Sequence, residues 1–195
     1  MKKFLMTVVF LFMAIGLSHA EEAKAILAGG CFWCVESDLE NVLGVKSVVS
    51  GYSGGSGDDP TYHTYTEMGY VEVVEVAYDP SVISYSQLLD VFLQKIDPTD
   101  SEGQFCDRGS AYRPVIFYSN EEEKKLAEDS KVSLSNLKKL TKPVTIEIIA
   151  ASKFYPAEEY HQDYYKKNPV KYKFYRFKCG RDQFLERIWG KSKGH

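Results

Sequence analysis

The chain is poor in cysteine, with four among 195 residues, and only Cys31 and Cys34 stand at Cys-x-x-Cys spacing. A four-thiolate zinc site would need a second such pair near Cys106 or Cys179. There is none, so no metal is expected. A basic excess is also missing. The 24 Lys and Arg stand against 27 Asp and Glu, a net charge of −3, which argues against nucleic acid as a partner. Lysines do cluster at 166, 167, 171, 173 and 178, but they alternate with Tyr and Phe and read as a packed tail with solvated ammonium heads. No internal repeat, low-complexity tract or domain-splitting linker occurs.

Long apolar runs are absent, with one exception at the start. Phe4 to Leu17 follows Lys2 and Lys3 and precedes Ser18-His19-Ala20. A basic start, a short apolar run and small residues describe a secretory signal peptide, and the run is too short to span a bilayer comfortably. Residues 1–20 are therefore expected to be removed, leaving residues 21–195 as one domain with no membrane contact. Such a protein is exported, periplasmic or secreted. Disulfides are permissible there, and four cysteines allow three full pairings.

The chemistry is concentrated in Gly29-Gly30-Cys31-Phe32-Trp33-Cys34-Val35-Glu36. The apolar run Ala25 to Ala28 before it reads as a strand. Val35, Leu39, Val42 and Leu43 after it repeat at helical spacing. Two glycines permit a tight strand-to-helix turn. A cysteine there sits by free backbone N–H groups and the positive end of the helix dipole. Both favour thiolate, so Cys31 is expected to have a lowered pKa and to act as a nucleophile. Phe32 and Trp33 bring aromatic surface to the same spot.

Val45 to Tyr52 reads as a second strand, followed by the loop Ser53 to Asp59. Tyr70 to Tyr78 is rich in β-branched residues and reads as a strand with one carboxylate on each face. Glu75, mid-strand, is expected to face solvent. Glu72 lies near the strand start, and from these residues alone an ordinary edge glutamate is the favoured reading; bordering an apolar cleft it would instead be desolvated, its pKa raised, and it could hold a proton at neutral pH. Ser84 caps a helix carrying Leu88, Leu89, Phe92 and Leu93. A polar loop from Thr99 to Tyr112 holds Cys106 and Asp107, and ordered loops of that length are often functional. Then come a strand at Val115–Tyr118, a helix after Ser119 or Asn120, a strand at Val144–Ala150, a short helix from Ala157 to Lys166, and a last helical turn or two suggested by Phe184, Leu185, Ile188 and Trp189. This order predicts an α+β fold: a ferredoxin-like two-layer sandwich, a mixed sheet with packed helices, plus a long irregular C-terminal tail over the sheet.

Six segments, in order, carry a resemblance to a known family. They are GGCFWCVE, SGYSGG, Pro60-Thr61-Tyr62, Tyr70-Val71-Glu72 ahead of VAYDPSVISYSQLLDVF, IDPTDSEGQFCDRGSAYRPVIFY, and YPAEEYHQDYY. Together they resemble the A-type peptide methionine sulfoxide reductases. The resemblance implies reduction of (S)-methionine sulfoxide, free or in oxidised proteins, back to methionine. It implies Cys31 as nucleophile, Glu72 as proton donor, and Tyr62 and Tyr112 as holders of the sulfoxide oxygen. Asp107 would place water or a donor near that oxygen, and Phe32 and Trp33 would hold the substrate's methyl group. Cys31 would be left as a sulfenic acid. A second cysteine would condense with it to a disulfide, which an external thioredoxin-like dithiol reduces. Cys34, Cys106 and Cys179 are all candidates for that second cysteine. No bound cofactor is implied, and a monomer is expected. The sequence departs from the family pattern at Cys34, where Gly is usual, and at Tyr70, where His is common. The segment from Tyr62 to Glu72 is also about two residues shorter.

Other readings use the same residues. A Cys-x-x-Cys thiol–disulfide oxidoreductase would need Cys31 and Cys34 but not Glu72, and no candidate cis-proline stands out. A disulfide-stapled binding module would leave all four sulfurs unreactive. His161 could serve Cys31 as a base, as in cysteine hydrolases, but on an aromatic segment it is expected to be a structural hydrogen-bonder.

Overall fold

The computed structural model describes residues 22–190, so the expected signal peptide lies outside the described residues. The chain runs β1 (Ala23–Ala28), α1 (Phe32–Leu39), β2 (Val45–Ser53), β3 (Val71–Tyr78), α2 (Tyr85–Leu93) and two short strands, β4 (Gly103–Gln104) and β5 (Asp107–Arg108). After a 3-10 turn (Ser110–Tyr112) come β6 (Val115–Tyr118), α3 (Glu121–Ser135), β7 (Glu147–Ala150), β8 (Tyr155–Pro156), α4 (Tyr164–Lys167), α5 (Pro169–Lys178) and α6 (Arg181–Trp189). Six strands form one sheet in the order β7-β6-β1-β3-β2-β8. Its middle, β6-β1-β3-β2, is antiparallel throughout, with α1 joining β1 to β2 and α2 following β3. This is the expected ferredoxin-like arrangement. β7 extends it in parallel at one edge and β8 antiparallel at the other.

Register decides which carboxylate is buried. Leu27 lies opposite Val74 and Ala25 opposite Val76, so Glu72, Val74, Val76 and Tyr78 share the face under the helices. That face packs on Phe32, Val35 and Leu39 of α1 and on Leu88, Leu89 and Phe92 of α2. The reverse face carries Val71 and Val73 against Val115 and Phe117. Glu75, on the reverse face, is half-buried and takes the Lys24 ammonium at 2.7 Å. α2 begins as read, with Ser84 and Gln87 in a capping box.

The C-terminal region is more ordered than its composition suggests. The helix expected over 157–166 is instead a run of turns, and only Tyr164–Lys167 is helical. Asp163 adopts the left-handed region, φ 52°, and its N–H donates to the Glu36 carboxylate at 2.9 Å. The remaining tail, expected to lie irregularly over the sheet apart from a last helical turn or two around Phe184 to Trp189, forms α5 against α1 and then α6, which contains that turn. The Tyr172 and Ser37 hydroxyls are 2.6 Å apart, and Arg176 meets Asp38 at 2.9 Å. Arg181 is buried and donates to the carbonyls of Lys95 at 2.8 Å and Gly29 at 3.4 Å. Among the described residues no helix is long and apolar enough to cross a membrane.

Glu36 ties this tail to the sheet, accepting from Asp163 N–H at 2.9 Å and from Ser50 Oγ at 3.2 Å. Burial raises its carboxyl to about 7. A carboxyl raised on folding contributes its stability below the unfolded value and loses it as pH climbs through the folded one. Stability should therefore fall by roughly 3 kcal/mol on this group's account between pH 4.5 and about 7. Glu36→Gln, which cannot ionise, should flatten that part of the slope. Urea midpoints of both proteins at pH 5 and pH 8 check this, and an unchanged slope refutes it.

Candidate active site

The site begins at the Gly29-Gly30 turn. Gly30 has φ +82°, and a Cβ there would lie 2.5 Å from Gln104 Cβ. A Cβ on Gly29 would lie 2.7 Å from Ile96. Gln104 cannot retreat, since its amide holds the Asp97 N–H and carbonyl, both at 2.8 Å. The turn therefore requires glycine, and it delivers Cys31 as the N-cap of α1. Cys34 lies one turn along, its N–H donating to the Cys31 carbonyl at 3.0 Å. Both thiols are free and buried.

A cavity of about 120 Å³ opens on Cys31, lined by Phe32, Trp33, Tyr62, Glu72, Asp107, Tyr112 and Tyr175. Every residue that the resemblance assigned to nucleophile, acid, oxygen or methyl contact is in that wall. Glu72 is 2% exposed. Its Oε2 accepts the Phe32 N–H at 2.9 Å and its Oε1 accepts the Tyr65 hydroxyl at 3.0 Å. Burial outweighs both bonds and raises the carboxyl to about 8, so Glu72 is protonated at neutral pH. The Asp107 carboxylate adds to that shift. Burial also raises Asp107, opposed by the Tyr175 hydroxyl, which donates to it at 2.6 Å, and by Arg181.

The aromatic wall is rigidly placed. Trp33 stacks on Tyr164, centroids 3.7 Å apart, and its Nε1–H donates to His161 Nδ1 at 3.1 Å. His161 is buried, and burial lowers its pKa and keeps it neutral. It orients Trp33, as the structural reading held.

Two expectations change. Burial pushes the Cys31 thiol well above its ordinary value, where a lowered one was expected. The helix N-terminus is present, but its Phe32 N–H is spent on Glu72. Cys34 is lowered instead, chiefly because the Cys31 thiol donates to it, with help from Arg181 and Arg176. Of the two thiols, Cys34 is the one shifted toward thiolate. The second change concerns the tyrosines. Residues 61–69 fold into hydrogen-bonded turns, Tyr65 N–H to the Thr61 carbonyl at 2.9 Å and Met68 N–H to that of Thr64 at 3.1 Å. Tyr65 points inward, 3.3 Å from the Tyr112 hydroxyl, while Tyr62 stands at the rim, 37% exposed. The reading from sequence missed Tyr65, whose only signal is its place one turn after Tyr62. It also missed Tyr175, which nothing in the tail marked. Cys106 and Cys179 are bonded to each other, Cα atoms 4.8 Å apart.

Comparison with known proteins agrees with this geometry. Residues 23–193 match the family described as peptide methionine sulfoxide reductase. The chain is 51% identical over 168 residues to peptide methionine sulfoxide reductase MsrA 2 of Staphylococcus aureus strain MW2, covering 85% of this chain and 95% of that one. It is 48% identical over 181 residues to MsrA/MsrB of Vibrio cholerae serotype O1, spanning 92% of this chain but only 48% of that longer relative. Among solved structures, reduced Mxr1 of Saccharomyces cerevisiae superposes with a TM-score of 0.67 at 32% identity, covering 77% of this chain and 88% of Mxr1. Mxr1 has also been solved in complex with Trx2, where the match has a TM-score of 0.50 at 25% identity and covers 78% and 91%. With its site built on Cys31 and Glu72 and its length matched almost end to end, the chain belongs to the peptide methionine sulfoxide reductase family.

Proposed function

We propose that this protein reduces (S)-methionine sulfoxide, free or in oxidised proteins, to methionine. The observation that carries the reading is a buried, protonated Glu72 sharing one small cavity with Cys31. A sulfoxide sulfur is a poor electrophile until its oxygen is protonated. With the Phe32 N–H on Oε2, the Glu72 proton belongs on Oε1, beside Tyr65, whose hydroxyl also meets that of Tyr112. Substrate methyl packs on Phe32 and Trp33, and the oxygen turns to Glu72, Tyr112 and the rim Tyr62. Asp107 orders water or a donor at the same oxygen. Glu72 gives its proton to the oxygen as Cys31 sulfur attacks, and takes up the proton that Cys31 releases. The S–O bond breaks as the protonated oxygen leaves as water, and water then attacks the Cys31 sulfur and breaks the new S–S bond, so that methionine leaves and Cys31 is a sulfenic acid.

Cys34 is the partner best placed to condense with that sulfenic acid, releasing water and forming a disulfide. It is free, buried and one helical turn away, and it carries the lowered pKa of the pair. Cys106 and Cys179 already hold each other. An external dithiol then takes the disulfide back to two thiols and is itself oxidised. The yeast relative's complex with Trx2 supports a thioredoxin-like protein in that role. The basic, apolar start of the chain supports export to an oxidising compartment. A general thiol–disulfide oxidoreductase fits less well, because it gives no task to the buried Glu72 that shares the cavity with Cys31.

The test uses no added reductant. Reduced protein mixed with separated S and R epimers of a blocked methionine sulfoxide should yield about one equivalent of methionine from S and none from R. Equal yields would remove the stereochemical part of the reading, and no product from either would remove the whole.

A further inference from the structure

Tyr175 is the one side chain of the cavity wall to which this reduction gives no role. Its hydroxyl donates to Asp107 Oδ2 at 2.6 Å, and its ring meets Trp33 edge-on, centroids 5.9 Å apart. The hydrogen bond fixes one carboxylate oxygen of Asp107 and leaves Oδ1 for the cavity, 3.9 Å from Cys106 Sγ, which is bonded to Cys179 and has no proton to donate. The two partners of this bond are also joined covalently by another route. Cys106 directly precedes Asp107, and Cys179 follows Tyr175 by one helical turn at the end of α5. The bond between these cysteines bridges 73 positions of sequence. α5 is otherwise held on α1, through Tyr172 to Ser37 and Arg176 to Asp38, and those contacts do not touch the Asp107 loop.

We propose that Tyr175 is a positioning residue for the reduction, set on Asp107 by the Cys106–Cys179 bond. The proposal rests on the reductase reading above. It gives the second cysteine pair a task other than carrying electrons: it holds the Asp107 loop and α5 at one spacing, so that the carboxylate keeps its aim. Cys106 is exposed, so this latch meets solvent thiols that the buried Cys31 and Cys34 do not.

The test is the rate of the first turnover, read by rapid quench across substrate concentrations. Tyr175→Phe keeps the ring on Trp33 and removes only the O–H. It should slow the maximal rate about tenfold, the loss expected of one charge-assisted hydrogen bond, with half-saturation moved by less than about twofold. Cys106→Ala with Cys179→Ala should slow the same step by a similar factor and still recycle with a dithiol. The Tyr175 hydroxyl also acts on the Cys31 thiol, so Tyr175→Phe should be the slower parent, and combining all three changes should be no worse than it, because the cysteine bond acts through the Tyr175–Asp107 contact. A wild-type rate in Tyr175→Phe overturns the proposal, as do losses that multiply. So does a cysteine variant that reacts once at full speed and then stops, since the pair would then be an electron carrier. Should that variant fail to fold, Tyr175→Phe and Asp107→Asn form the cycle instead: non-additive losses support the proposal and multiplied losses overturn it. No product from wild type would sink the reductase reading and this proposal together. Product from wild type with Tyr175→Phe unaffected sinks this proposal alone.

Discussion

Glu72→Gln should slow the first turnover by about 10² to 10⁴-fold, the range for loss of a positioned general acid. Gln keeps the shape and can still accept from the Phe32 N–H, so the fold and Cys31 stay in place. What goes is the proton. The pH profile gives a second signature. The acid form of Glu72 exists below about pH 8, so the wild-type rate should fall as pH rises through that value. The variant should have lost that limb. Rapid-quench rates from pH 6 to 10 decide it, and a variant within threefold of wild type, or one that keeps the limb, refutes the role.

Cys34→Ala separates reduction from recycling. The first equivalent of methionine should form at close to the wild-type rate. Turnover with a thioredoxin-like dithiol should then stop, with Cys31 trapped as a sulfenic acid that a 1,3-diketone labels. Wild type should instead show a peptide joining Cys31 to Cys34. If Cys34→Ala cycles normally, another sulfur resolves the intermediate, and Cys106 or Cys179 must leave its present partner to do so.

The parts of this account that the sequence revealed are the short-range ones. The Gly29-Gly30 turn, the Ser84 cap and the two faces of β3 each depend on spacings of four residues or fewer, and a period of two is enough to place Glu72 under the helices and Glu75 away from them. The hidden parts depend on burial or on distant partners. A cysteine at a helix start suggested a thiolate. Only the fold shows that the first N–H is already taken by Glu72 and that the cysteine is buried. Tyr65 was obscured because residues 61–69 coil, which turns Tyr62 outward and its neighbour one turn later inward. α5 was misread for a different reason. Its solvent face carries Val170, Phe174 and Phe177, 80%, 64% and 66% exposed, while its packed face carries Tyr172, Arg176 and Cys179. The apolar pattern thus marks the wrong side, and neither the helix nor Tyr175 could be placed from it.

The reduction requires a carboxylic acid that keeps its proton at pH 7 beside the attacking sulfur. Infrared difference spectra of wild type minus Glu72→Gln, collected from pH 5 to pH 10, isolate that one group from the other raised carboxyls, Glu36 and Asp107. The prediction is a protonated-acid carbonyl band that survives at pH 7 and disappears around pH 8. A band already gone by pH 6 would mean that Glu72 rests as a carboxylate, with no proton to give.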